Sequence, residues 1–360
     1  MSRTKGKEVA TGRVVILGGG VAGMQTAITL DKLGIASVLV EKEPDLGGRV
    51  KNYDKTFPYF QSGKEIVREL ENQLRQADLV EVRRGTTVTK VTGSAPNFFV
   101  SLGDSDDIPA RAIVVATGFE PFDASLQEEY GYGIYRNIIT ATELESLLDP
   151  EGPTGGELKR PGDGKIARKI AIVFCVGSRS EKLGHNYCSR ICCSFSTKQA
   201  IEIKQKYPEA TVMCFYIDIR TYGRGFEEMY RQAQELGITY IRGRAGECSS
   251  LPNGDIAIKA ENTFLGRPIQ GAFDLVSLSH GMTPCLDAPE LSKMLKIKLA
   301  EDGFFDCRDK DLYPYDATRE GIFLAGAAIG LKPIPDCIAD GNAVAARVAA
   351  FLADKEKGTK

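Results

Sequence analysis

Consecutive apolar residues open the regular structure of the chain. Val14-Val15-Ile16-Leu17 is a buried-strand pattern that stops at Gly18-Gly19-Gly20. Met24, Ala27, Ile28 and Leu30 then recur at helical spacing as far as Gly34, and Ser37–Val40 is a second strand. Arg13 to Glu41 therefore reads as a βαβ unit of about thirty residues. Ile66, Val67, Leu70 and Leu74 form one stripe and predict an amphipathic helix over 64–76. Three short β-rich runs follow, Leu79–Val82, Thr86–Val91 and Phe98–Leu102, separated by Gly85 and by Gly93–Asn97. Ile113–Ala116 is a further buried strand, ended by Thr117-Gly118.

Gly152–Gly164 is rich in Gly, Pro, Lys and Arg and reads as a linker. The pattern restarts beyond it, with strand Ile170–Phe174, helix Cys188–Tyr207, strand Thr211–Ile217, helix Phe226–Leu236 and strand Ile238–Ile241. This is a second βαβαβ half. Phe273–Leu278 and Ile322–Ala325 are two more buried strands, Asp340–Leu352 an Ala-rich helix, and Asp354–Lys360 a solvated tail. The expected domains are 1–151 and 273–360 as two parts of one nucleotide-binding domain, with 152–272 inserted between them.

A chain of 360 residues exceeds what one core needs, which agrees with two domains. Forty-six Lys+Arg against forty-eight Asp+Glu leave a charge of −2, so no basic excess exists to follow a phosphate backbone and no nucleic-acid partner is expected. A hydrophobic fraction of 42%, a charged fraction of 26% and a mean hydropathy of −0.17 fit a soluble globular chain. No apolar run suits a bilayer and Met1–Gly12 is polar, so no membrane insertion and a cytoplasmic location are expected. Nine cysteines are too sparse for a secreted disulfide framework, and four lie in the nineteen residues Cys175–Cys193. With two His and no Trp, a His-rich metal site or a Ser-His-Asp centre is hard to assemble.

Gly18, Gly20 and Gly23 make G-x-G-x-x-G between a strand and a helix. Gly18 permits the tight turn, Gly20 admits a pyrophosphate and Gly23 allows close helix packing, while the helix N-terminus supplies amide donors. Glu41 at the end of the next strand can accept both ribose hydroxyls and repel a 2′-phosphate. A purely structural glycine turn is the alternative.

Glu41 to Arg49, an acid followed by a spacer and Gly47-Gly48-Arg49, resembles the two-dinucleotide-binding flavoproteins. So do Ile113 to Gly118, which matches their alanine-threonine-glycine strand, and Gly321 to Gly326, which matches their late flavin-contacting strand. The resemblance implies an α/β fold of the glutathione or thioredoxin reductase kind: a Rossmann-type FAD domain with an inserted second Rossmann-like domain. It favours FAD over NAD and implies a cofactor-binding set of Gly18, Gly20, Val21, Ala22, Gly23, Glu41, Lys42, Gly47, Gly48, Arg49, Phe57, Val88, Ala116, Thr117, Gly118, Gly326, Ile334 and Pro335. Ala327 stands where that superfamily usually carries the Asp that contacts the ribityl chain.

The second half departs from the pattern. Its first strand runs into Cys175-Val176-Gly177-Ser178-Arg179, without the glycine spacing that cradles a pyrophosphate, so direct NAD(P)H binding is not expected. No C-x-x-C redox pair is present. On a continuous helix Cys188 and Cys192 would share one face beside Cys193. Thiolates converging on a strand end and a helix N-terminus suit an iron–sulfur centre, a structural zinc or, without metal, a group of core cysteines.

Phe174 to Arg179, Tyr187 to Cys193 and Tyr216 to Glu228 resemble the flavoprotein A subunit of heterodisulfide reductase, with Asp54–Pro58 and Asp336–Asp340 in support. The resemblance implies a noncubane [4Fe–4S] cluster near the flavin on Cys175, Cys188, Cys192 and Cys193, and places Lys198 in a catalytic position near the flavin ring. Methanogen versions carry further iron–sulfur modules. No ferredoxin-type cysteine run occurs in these 360 residues, which is similar to compact bacterial forms from sulfur oxidisers and to the quinone-interacting oxidoreductase of sulfate reducers. An electron-transferring subunit, homodimeric and served by the other subunits of a heterodisulfide-reductase-like complex in sulfur metabolism, is the expectation. The alternatives are a stand-alone NAD(P)H-dependent flavin oxidoreductase and a non-catalytic scaffold with structural cofactors. Cys214, Cys248, Cys285 and Cys307 read as core residues. Cys337 lies where a thiol could meet substrate, His185 reads as a loop residue and His280 as a partner for a backbone carbonyl. Asp218 and Arg220 form a candidate ion pair or partner surface.

Overall fold

The computed structural model describes residues 12–103 and 107–357, which form two compact α/β units. One comprises the segment ending at Lys51, Val67–Phe119 and the chain from Pro284 onward, and the other Asn52–Ile66 and Glu120–Thr283. The expected N-terminal segment Met1–Gly12 lies almost wholly outside the described residues, as do 358–360 of the expected tail.

In the first unit strand Arg13–Leu17 lies between Ser37–Val40 and Ile108–Val115, parallel to both. Val80–Arg83 and Ile322–Leu324 extend the parallel sheet on either side. The hairpin of Val88–Ser94 and Asn97–Leu102 adds to Ile108–Val115 in antiparallel fashion, and Tyr313–Ala317 with Cys307–Asp309 extends the other edge. Val14, Val15 and Ile16 are wholly buried, each contributing about 1.5–3 kcal/mol of transfer free energy. Helix Val21–Lys32 packs on the long helix Ile334–Lys357 so closely that a Cβ on Gly341 would lie 2.8 Å from the Ala22 carbonyl oxygen. That long helix begins six residues before the expected Asp340 and takes in residues 354–357 of the expected tail. Its early start is compatible with Pro335, which sits in the first turn, where the missing N–H has no helical partner to lose.

The second unit is built on five parallel strands in the order Thr239–Arg242, Thr211–Tyr216, Lys169–Val176, Leu275–His280, Ile138–Thr140. Along the central strand Ile170, Ile172 and Phe174 face helices Ala141–Leu148, Cys192–Lys206 and Phe226–Glu235. Ala171, Val173 and Val176 face the antiparallel meander Ala245–Ser250, Ile256–Asn262, Arg267–Phe273. Burial on both faces explains the unbroken apolar run. The unit starts at Glu120, upstream of the expected linker, and runs to Thr283, because Ile138–Thr140 and Leu275–His280 pair with each other and complete its sheet. The Gly-rich stretch lies inside it, tied by a bridge between Lys159 and Ile166. In both units the strand that ends at the candidate chemistry is flanked by parallel neighbours on both sides, the position where open α/β sheets bind ligands.

Candidate cofactor and metal sites

The glycine loop of the first unit is shaped by its own backbone. Gly18 has φ +108°, and a Cβ there would lie 2.4 Å from the Ala116 carbonyl oxygen. A Cβ on Gly23 would lie 1.9 Å from the Gly18 carbonyl oxygen. Gly20 differs: a Cβ there meets nothing within 4 Å. Gly20 caps helix Val21–Lys32 with no side-chain acceptor, and the first turn, containing Val21 and Ala22, holds no acidic residue. The space beside Gly20 is therefore open at the start of the helix, with no carboxylate in the first turn to repel an anion, which fits a pyrophosphate.

Gly47 donates from its N–H to the Gly19 carbonyl oxygen at 2.8 Å, and a Cβ on Gly48 would come within 3.4 Å of Gly20 Cα, so the second glycine pair closes on the first. Glu41 is buried. Its Oε2 accepts from Gly19 N at 2.6 Å and its Oε1 from Glu43 N at 2.9 Å. Each oxygen keeps a further lone pair for a ribose hydroxyl.

Thr117 Oγ1 meets Cys285 Sγ at 3.2 Å beside buried Ala116 and left-handed Gly118. Val88 packs half-buried on the first unit's core. Lys42 is held in an exposed ion pair with Asp287 at 2.8 Å, and Arg49 Nε donates to the Phe119 carbonyl oxygen at 3.1 Å. Ile334 and Pro335 form the first turn of the long helix, whose Cys337 Sγ would lie 3.6 Å from a Cβ on Gly326. Phe57 belongs to the second unit, where its ring meets Phe195 and Phe226.

One residue that the sequence patterns do not single out as a site stands at the Ala327 departure. Buried Asp340 accepts from Gly326 N at 3.1 Å and from the Tyr315 hydroxyl at 3.0 Å, and it also pairs with Lys332. A carboxylate from the long helix thus reaches the late strand end. Burial and this carboxylate push the Tyr315 phenol up to about 12.

In the second unit Cys175, Cys192 and Cys193 are buried and Cys188 is half-buried. The helix starts at Cys192, not at Cys188. Arg190 adopts φ 62° and Ile191 caps the helix, so Cys188 sits in the preceding loop and shares no helical face with Cys192. The sulfurs are drawn onto one another. The Cys175 and Cys193 thiols both hydrogen-bond to Cys192, which holds its thiol well below the ordinary range and pushes theirs up. Among the described residues no group of three or more His, Cys, Asp or Glu side chains is placed to hold a metal ion as the side chains stand.

The surroundings nevertheless suit an anionic sulfur-rich group. Ser178 Oγ and Arg179 Nη1 are buried and lack a hydrogen-bond partner, and the Ser189 hydroxyl is within hydrogen-bond reach of the Cys192 thiol. Arg190 N donates to Cys188 Sγ at 3.3 Å, and the helix N-terminus carries Cys192 and Cys193.

Lys198, on the same helix, is wholly enclosed. Its Nζ lies 2.7 and 2.5 Å from the two Glu145 carboxylate oxygens and 3.0 Å from Glu202 Oε2. Burial opposes its charge, and the two carboxylates more than offset that and raise its pKa. Glu145 carries no sequence signal, because its pairing with Lys198 bridges segments far apart in the chain.

Other expectations are corrected or refined. Asp218 pairs with Arg179 and Arg242 rather than Arg220. His280 Nε2 meets the Thr142 hydroxyl at 2.7 Å, and His185 Nδ1 the Gly177 carbonyl oxygen at 2.9 Å. Cys337 is buried, with its thiol pushed up to about 12 mainly by desolvation. No helix of the described residues is long and apolar enough to cross a membrane.

The family model described as pyridine nucleotide-disulphide oxidoreductase matches residues 12–341. The chain is 34% identical to an iron-sulfur A subunit of CoB–CoM heterodisulfide reductase from Methanopyrus kandleri, over 96% of this chain and 65% of that one. It is also 34% identical to the iron-sulfur A subunit of CoB–CoM heterodisulfide reductase from Methanocaldococcus jannaschii, over 94% and 64%. The chain thus spans a little under two thirds of the length of these relatives. Among solved structures, thioredoxin reductase of T. acidophilum aligns with a TM-score of 0.60 at 17% identity, over 94% of this chain and 97% of that one. Lactococcus lactis thioredoxin reductase aligns with a TM-score of 0.63 at 19% identity, over 95% and 99%. The fold is that of the two-dinucleotide-binding flavoproteins, as the three separated motifs implied.

Proposed function

The chain belongs to the pyridine nucleotide-disulphide oxidoreductase family, and from that premise we propose that it is the FAD- and [4Fe–4S]-bearing electron-transfer subunit of a heterodisulfide-reductase-like complex in sulfur metabolism. The observation that carries the proposal is the replacement in the second unit: the strand end that would cradle a second dinucleotide leads instead to three buried cysteines and a fourth in the adjoining loop. The designation of the relatives as iron-sulfur subunits supports it.

When bound, FAD supplies an acceptor of one or two electrons and a [4Fe–4S] cluster a carrier of one. Val21 and Ala22 would donate their amides to the pyrophosphate, Gly20 would leave it room, and Glu41 would accept the ribose hydroxyls. Cys175, Cys188, Cys192 and Cys193 would hold the cluster through their thiolates. Ser178, Ser189 and Arg179, whose polar atoms are buried in the same loop, would supply donors to such an anionic group. Electrons enter and leave through partner subunits of the complex, with the chain as a homodimer in the cytoplasm.

Iron, zinc, sulfide and flavin measured together on anaerobically purified protein test this directly. Iron and sulfide in equal amounts alongside FAD are expected, and Cys192→Ser should lose iron, sulfide and electron delivery while retaining FAD. Full iron and sulfide in that variant would refute the ligand set. Bleaching of the flavin by NADH without any partner would replace the proposal with a stand-alone reductase.

A further inference from the structure

The loop that lies against the cysteine sulfurs also presents exposed cations. Cys193 Sγ lies 3.6 Å from the Asp218 carbonyl oxygen, and the Arg220 backbone N–H points back at the same sulfur. Two and six residues past Asp218, the side chains of Arg220 and Arg224 are exposed and form no ion pair with a described residue. Exposed Arg242 shares the Asp218 carboxylate with Arg179, and Arg244 donates to the Arg179 carbonyl oxygen at 3.4 Å, so these four residues form one anchored network with a surplus of positive charge. Tyr222, 59% exposed between Arg220 and Arg224, lies under the Arg190 guanidinium at 5.4 Å from its ring centroid.

We infer that this basic, aromatic-centred surface of the second unit docks a small acidic protein that carries single electrons. The inference deepens the electron-transfer proposal and rests on it. Three observations favour this occupant. Arg220, Arg224, Arg242, Arg244 and Arg179 outnumber the acidic side chains beside them on a chain whose net charge is −2, and such a local excess can orient an anionic partner as it arrives. The same short loop that forms that surface lies with its backbone against the buried sulfur of Cys193, so surface and cysteine group are joined by one segment. The aromatic at the centre with arginines around it is the composition of an interface core. A nucleic acid is the less favoured occupant: the Tyr222 ring face is already engaged by Arg190, and Asp218, Glu227 and Glu228 interrupt the cationic track.

Binding of a plant-type [2Fe–2S] ferredoxin, a small and strongly acidic protein, to the whole chain at low and moderate salt tests the inference without requiring turnover. The dissociation constant should rise about tenfold or more between about 20 and about 200 mM NaCl. Arg220→Glu with Arg224→Glu should weaken low-salt binding by about tenfold or more, and the corresponding Gln pair by less. Arg308→Glu, an exposed arginine of the first unit, should bind as the parent does. Unchanged flavin, iron and sulfide contents and an unchanged melting profile in the Gln pair keep docking separate from folding and from the cofactors. If the parent chain holds no iron or sulfide yet shows this pattern, the cofactor assignment fails and the docking surface stands. Parent-like affinity in both double variants would overturn the inference, as would a short DNA duplex that binds as tightly as the ferredoxin and is lost in the same variants.

Discussion

Lys198→Met removes a cation that three carboxylate oxygens surround. Lys198 is 0%, Glu145 2% and Glu202 9% exposed, so solvent offers little to replace the lost charge. Methionine is close to lysine in shape and keeps most of the packing, which isolates the electrostatic loss. Removing one partner of a buried ion pair costs about 3–5 kcal/mol. Burial already pushes the Glu202 carboxyl up, as does Glu145, against the downward pull of Lys198 and Lys55. Without Lys198 it rises further. A carboxyl whose folded pKa lies above its unfolded value contributes stability that is complete below the unfolded pKa and is lost as pH rises through the folded pKa. The deficit of the variant is therefore largest at neutral and higher pH and shrinks as pH falls toward the carboxylate range. Urea unfolding followed by circular dichroism measures it, since the chain has no Trp to report by fluorescence. Adding Glu145→Leu to Lys198→Met should restore part of the stability, because an apolar pair can replace a buried ionic one at little cost. Gln199 Nε2 would keep its bond to the Ala141 carbonyl oxygen at 2.8 Å. A loss below about 1 kcal/mol with no pH dependence would refute the buried-pair account. If such a stable variant also lost flavin reduction, the role of Lys198 would be at the flavin, as the resemblance implied.

Two further substitutions separate the glycines that shape the loop from the one that leaves room. Gly23→Ala should prevent stable folding of the first unit, because its Cβ meets backbone at 1.9 Å, whereas Gly20→Ala should fold normally and bind FAD at least about tenfold more weakly by equilibrium dialysis; equal FAD affinity in folded Gly20→Ala would put the pyrophosphate elsewhere. Asp340→Asn should bring the Tyr315 phenol down from about 12 toward its ordinary value of 10.0, read by ultraviolet titration of tyrosinate, since removing the nearby negative charge makes ionisation easier. The same variant should lose about 1–3 kcal/mol of stability, because Gly326, Lys332 and Tyr315 share that carboxylate.

The strands that can be placed from sequence are those buried on both faces. Val14 to Leu17 and Ile170 to Phe174 are unbroken apolar runs because a layer covers each side of the sheet. The meander over 245–273 escapes such a reading because one of its faces is open to water, and Gly246, Glu247, Lys259, Glu261 and Gly271 dilute the apolar signal. The start of the cysteine helix differs from the expected one for another reason. Nothing in Cys188-Ser189-Arg190 forbids a helix locally, and only the left-handed Arg190 ends the possibility. Phosphate-loop glycines are legible because their requirement is local. Glu145 and Asp340 are not, because a carboxylate acquires its partner through tertiary packing and leaves no spacing to read.

Both units use one physical device at the end of a central strand, and the difference between them lies in the connection to the next helix. In the first, residues 18–20 turn directly into the helix and present backbone amides, which suits a phosphate. In the second, residues 177–191 intervene, and the helix N-terminus carries thiols instead. That longer connection is conformationally costly. Of the five non-glycine residues with positive φ among those described, Cys175, Arg179 and Arg190 lie in or next to it, and each such residue costs on the order of 1–3 kcal/mol. The same segment buries the Ser178 hydroxyl and an Arg179 N–H without partners. A loop that combines strained backbone with unsatisfied polar atoms persists only where something over-determines it. Four cysteine sulfurs fixed to one anionic cluster would meet both demands, because the ligand bonds set the backbone and the sulfurs accept from Ser178, Ser189 and Arg179. The cluster should then be a folding element as well as a redox one. Removing iron with a chelator should release the segment 177–191 to fast amide exchange and leave the exchange of strand Arg13–Leu17 unchanged. Equal protection of that segment with and without iron would mean that the protein alone holds the loop.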